Sequence, residues 1–89
     1  MSTKAAAPIA VTGTGTAFAG PGVYRGCAIK STSAGTLRIY DNVAASGTLV
    51  AIFELAAGAV ALDDPAGGVY FAKGLHVAGP GVLEGSVRV

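Results

Sequence analysis

Residues Gly22–Asn42 read GVYRGCAIKSTSAGTLRIYDN, two runs of alternating side chains around a small polar turn. In the second run Leu37, Ile39 and Asp41 fall on one side of an extended chain. Thr36, Arg38 and Tyr40 fall on the other, because successive strand residues point to opposite faces. That pattern turns Leu37 and Ile39 inward and Arg38 outward, as in an antiparallel sheet wet on one face. The first run alternates likewise, with Val23, Arg25, Cys27 and Ile29 against Tyr24, Gly26, Ala28 and Lys30.

Working outward, turn signals recur at 13–15, 20–22, 31–35, 41–47, 58, 63–68, 74 and 79–81. Short runs rich in Val, Ile, Leu, Tyr and Phe lie between them, the spacing of an all-β sandwich or barrel. Strands are predicted over 9–12, 22–30, 35–41, 48–55, 59–62, 68–72, 75–78 and 81–89. LVAIFELAAGAVAL, residues 49–62, also fits a helical period. Its β-branched Val50, Ile52 and Val60, and Gly58, favour two strands joined at AAG. No fixed-period repeat suggests a solenoid. The expectation is a small antiparallel β-sandwich, jelly-roll-like. Residues 9–89 form one domain, and Met1, Ser2, Thr3, Lys4, Ala5, Ala6, Ala7 and Pro8 form an extended N-terminal arm.

Composition narrows the function. The 89 residues are 52% hydrophobic but only 7% aromatic and 12% charged, with 14 glycines. A chain this short buries roughly 60–65% of its unfolded surface. Small side chains and low charge suit life inside an assembly, where neighbours cover sheet edges. The net charge of +1, with Lys4, Arg25, Lys30, Arg38, Lys73 and Arg88 scattered, argues against a nucleic-acid partner. No run approaches the roughly 18 apolar residues of a membrane helix. The opening MSTKAAAPIAV has one Lys and is interrupted by Pro8, which speaks against a secretory signal. The lone Cys27 rules out an internal disulfide and suits synthesis in a reducing cytosol.

Candidate chemistry is thin. IAVTGTGTAFAGPG, residues 9–22, looks like a phosphate-cradling turn after a strand. The fingerprint needs a third glycine where Phe18 stands, a following helix that Gly20-Pro21-Gly22 would stop, and an acid roughly 20 residues on. The stretch is read instead as a loop between strands. Asp63-Asp64-Pro65 reads as a turn in which an Asp side chain caps the backbone, rather than a cation site. One His and one Cys make neither a zinc site nor, unless the fold brings Cys27 to His76, a nucleophilic dyad. Nothing in their spacing makes Glu54 and Glu84 a glycosidase pair. Tyr24, Tyr40 and Tyr70 read as core-edge aromatics, with a sugar platform at Tyr40 or Tyr70 as the rival. No cofactor, no metal and no enzymatic activity are expected.

From Gly22 onward the chain resembles a group of short all-β virion proteins of tailed bacteriophages. The residues that carry the likeness are Gly22, Tyr24 and Gly26, then Ala34 to Asp41. Gly68, Val69, Phe71, Gly74, Leu75 and Val77 follow, and Gly85, Val87 and Val89 close it. The resemblance spans about three-quarters of the chain and implies a structural role without catalytic residues. That role is capsid decoration or cement, head fibre, or tail component. It also implies synthesis in the host bacterial cytoplasm and residence in the virion. The expected partners are further copies of the chain, as a trimer, and a major capsid protein or other virion protein. Residues 1–8 would be the anchor, laid along a neighbour or added to it as a strand.

Overall fold

The structure, a computed structural model, describes residues 8–89, and among these lie ten strands and no helix. They are β1 (Pro8–Val11), β2 (Gly15–Ala19), β3 (Gly22–Tyr24), β4 (Gly26–Ser31) and β5 (Gly35–Asp41), followed by β6 (Thr48–Leu55), β7 (Val60–Asp63), β8 (Val69–Phe71), β9 (Gly74–Ala78) and β10 (Leu83–Arg88). β5 and β6 coincide with the predicted spans. Leu37 and Ile39 are fully buried and Arg38 is exposed, as the alternation requires. Asn42 shapes the β5–β6 loop: its Oδ1 accepts the Val43 amide at 2.8 Å and its Nδ2 donates to the Ser46 carbonyl at 2.9 Å.

The pairings are nested. β1 pairs with β10, β2 with β9, β3 with β8, β4 with β7, and β5 with β6, all antiparallel. The chain is thus one long ribbon of paired strands that doubles back at residues 42–47. Two further ladders, β4 with β10 and β5 with β9, roll the ribbon up. Rolling yields a sheet ordered β1-β10-β4-β7, a second ordered β2-β9-β5-β6, and the short β3–β8 ribbon between them along the chain. One apolar cluster joins all three: Val11, Cys27, Ile29, Ala61, Leu83 and Val87 from the first sheet, Leu37, Ile39, Leu75 and Val77 from the second, Tyr24 and Phe71 from the ribbon. Phe71 meets Phe18 edge to face with centroids 5.7 Å apart, a favoured aromatic geometry.

Three expectations need correction. Residues 13–22 are not simply a loop: Gly15–Ala19 form β2, an edge strand on β9 with a bulge between Thr16 and Phe18. The bulge breaks the two-residue period by which a strand is recognised. Nor is 22–30 one strand. Arg25 separates β3 from β4, which belong to different sheets. Tyr24 is buried on one parity and Cys27 and Ile29 on the other, so the inward face changes across the break. Gly26 makes this possible at φ +130°, where a Cβ would strike the Asp63 carbonyl and the Arg88 guanidinium. Lastly, Pro8 heads β1 opposite Arg88. The rest of the proposed arm, Met1 to Ala7, lies outside the described residues.

Candidate functional site

Titratable side chains gather first at the β3–β4 corner. The Tyr24 hydroxyl donates to Asp63 Oδ2 at 2.9 Å, and Arg88 Nη2 donates to the Asp63 carbonyl at 2.8 Å. The Arg25 amide closes the joint by donating to the Arg88 carbonyl at 2.7 Å. Burial, then the neighbouring Cys27 and Asp63, push the Tyr24 hydroxyl far above its ordinary range, so it remains a neutral donor. Burial likewise pushes the Cys27 thiol up, and its sulfur faces the Ala61 carbonyl at 3.8 Å. With Tyr24 at 0% and Cys27 at 1% exposure, neither group meets a substrate. The joint clamps three strand ends. Asp63 therefore bonds across the fold to Tyr24 rather than capping its own turn.

Asp41 makes a second clamp that the sequence pattern did not reveal. Its Oδ1 accepts the Lys73 amide at 2.8 Å and the Ala72 amide at 3.1 Å, fastening the end of β5 to the β8–β9 turn. These backbone donors, Lys73 foremost, hold its carboxyl below the usual range. The only signal was an Asp at a strand end, since its partners are main-chain groups.

The remaining candidates stay apart. His76 lies on β9 between buried Leu75 and Val77, so it points away from the core that holds Cys27. Its Nδ1 is 3.0 Å from Thr16 Oγ1, whose hydroxyl donates to the Val43 carbonyl at 3.1 Å. With the hydroxyl proton so committed, Nδ1 is the donor, and His76 tethers β2 to β9. Glu54 and Glu84 stand exposed on different sheets. No three His, Cys, Asp or Glu gather to hold a metal ion among the described residues. The tyrosines divide: Tyr24 is core, Tyr40 is half-buried, and Tyr70 is 68% exposed rather than a core-edge aromatic.

Apolar surface is the more prominent feature. Leu62 is 73% exposed, and Val43, Leu49, Ile52, Val60 and Val82 are exposed as well. A groove of about 610 Å³ is lined by Ile9, Phe18, Pro21, Gly22, Val23, Arg25 and Val89, beside the first residues of β1. It gathers side chains from β1, β2, β3 and the chain end, which no local pattern could have brought together. The groove, an apolar concavity open to solvent, is the kind of surface that contact with another molecule covers. No family model, no curated protein and no solved structure gives a significant match to this chain.

Proposed function

We propose that the chain is a structural protein of a tailed-bacteriophage virion, a decoration or cement protein that binds the capsid surface as a homo-oligomer and stabilises the lattice. The observation that carries this reading is the strand order. β1-β10-β4-β7 beside β2-β9-β5-β6 is the order of a rolled ribbon with two Greek keys, which we read as a jelly-roll sandwich. That architecture recurs in viral capsid domains and in lectins. Exposed Leu62, Ile52 and Val82, and a fully buried thiol and phenol, favour binding over catalysis. The resemblance to small virion proteins agrees with this reading. Residues 1–8 act as the anchor on the major capsid protein, and the apolar groove lined by Ile9 and Val89 offers that partner a further contact surface. The test adds purified chain to phage heads lacking it and measures bound copies and resistance of the heads to heat. Saturable binding, lost on deletion of residues 1–8, supports the assignment, and absence of binding to heads removes it.

A second reading, a carbohydrate-binding module, draws on exposed Tyr70, because an aromatic open to solvent is the platform on which sugars stack. A glycan array giving saturable binding lost in Tyr70→Ala would favour it.

A further inference from the structure

Rolling the ribbon leaves four edges in the two four-stranded sheets, β1, β7, β2 and β6. Free edges are templates for unwanted pairing, and proteins blunt them with proline, bulges, charge or brevity. All four carry such a device, but not to the same extent. β1 begins with Pro8, which offers no amide hydrogen. β2 is bulged between Thr16 and Phe18. β7 has four residues and runs into Asp63-Asp64-Pro65.

β6 differs. At eight residues it is the longest strand, with no proline, lysine or arginine, and it pairs on one side only. A bulge at Val50 isolates its first residues, since Ile39 faces Ala51 while Tyr40 faces Leu49. Beyond it Ala51–Leu55 form a regular ladder with β5. On the outer face of this ladder Ile52 is 52% exposed.

We propose that β6 pairs with β6 of a second copy, antiparallel about a two-fold axis through Phe53. This deepens the homo-oligomer part of the reading above and replaces the expected trimer with a two-fold contact. All five regular residues are used: Phe53 meets Phe53, Ala51 meets Leu55, and Ile52 meets Glu54. Because facing residues share a side, the inner row extends the core and the outer row stays outside. The outer row then runs Arg38, Ile52, the copy's Glu54, the copy's Thr36. Within one chain Arg38 faces Ile52, and the Thr36 hydroxyl already donates to Glu54 Oε1 at 2.7 Å. Each carboxylate lies two strand spacings, about 10 Å between backbones, from the copy's Arg38, and meets it by swinging off its own Thr36 between two long side chains. No like charges face each other directly in this register. An isologous contact also closes on itself, so it ends at the dimer instead of growing into a fibre.

The test is sedimentation velocity of the purified chain without phage particles, from about 10 µM to about 1 mM, so mass action resolves the association. Its result is therefore separable from the virion assignment. The wild type is expected to dimerise. Ile52→Glu sets Glu against the copy's Glu54 at two symmetric places and should weaken the dimer at least about tenfold. Within the chain the new Glu faces Arg38, so folding is kept, and circular dichroism verifies it. The double variant I52E/E54K sets Glu against Lys in the same register and should restore the dimer. A monomeric wild type, an unchanged I52E dimer, or a double variant that stays monomeric each overturns the proposal.

Discussion

Replacing Gly26 by Ala should cost this protein a large part of its stability. Two independent penalties meet there. At φ +130° an L side chain is strained, by about 1–3 kcal/mol. The added Cβ also lands on the Asp63 carbonyl, which cannot move without releasing the Arg88 guanidinium that bonds to it at 2.8 Å. Losing that partly buried, charge-assisted bond costs about 1–3 kcal/mol more. The sum centres on about 4 kcal/mol, against a total stability of about 4–13 kcal/mol for a chain of this size. The melting temperature should fall by roughly 16–32 °C. Two other glycines separate the causes. Gly58 has φ +80° but open space around it, so Gly58→Ala isolates the backbone term, about 1 kcal/mol. Gly13 has neither a positive φ nor a neighbour within 4 Å, and Gly13→Ala should stay within about 0.5 kcal/mol of wild type. Urea titrations followed by far-ultraviolet circular dichroism give all three values. If Gly26→Ala costs no more than Gly58→Ala, the strand break at Arg25 is not built as described.

Three further outcomes follow from the same geometry. Tyr24→Phe keeps the ring in the core but removes the hydroxyl that donates to Asp63 at 2.9 Å, and should cost about 1–2 kcal/mol because half-exposed Asp63 is rehydrated by water; an unchanged urea midpoint contradicts it. Asp41 has its carboxyl held below the usual range by backbone donors, so its stabilising effect is complete above the unfolded value of about 4 and fades as pH falls through the lower folded value; the protection of the Ala72 and Lys73 amides, taken relative to their intrinsic exchange rates at each pH, should fall on acidification, and Asp41→Asn should flatten that dependence. Cys27, buried and with its thiol pushed up, should resist a thiol reagent at pH 8 until the protein unfolds; prompt labelling of native protein would place it at the surface.

What could be read in advance and what could not follows one physical line. β5 and β6 were visible to the residue because Leu37 and Ile39 alternate with Arg38, and because Gly47 and Asn42 mark the loop between the strands. β2 was hidden by its own bulge, which puts Ala17 out of step between Thr16 and Phe18. The break at Arg25 was hidden for the opposite reason. Gly26 reverses the inward parity by its backbone angle, while the letters on either side go on alternating. The clamps escaped notice because Tyr24 meets Asp63 across 39 positions and Asp41 binds main-chain amides. Side-chain periodicity reports faces of single strands and is silent about which strands meet.

Nesting gives the two ends of the ribbon unequal standing. β5 and β6 close a loop of only residues 42–47, whereas β1 and β10 join residues 8–11 to 85–88. Forming that outermost ladder first would cost about 2 kcal/mol more in loop entropy than forming the tip. Zipping outward from the tip converts it into a succession of short closures. β1 is then the last strand laid down, with four residues, one neighbour and an exposed Pro8 at its head. Strands of this kind open locally at the lowest free energy. The segment proposed for anchoring therefore leads into a short edge strand held by a single paired neighbour. A neighbour that grips residues 1–8 and fills the groove along Ile9 and Val89 would hold β1 onto β10 as well. Binding and the completion of the fold would then be coupled in one step, since any ligand of the closed form stabilises it by mass action.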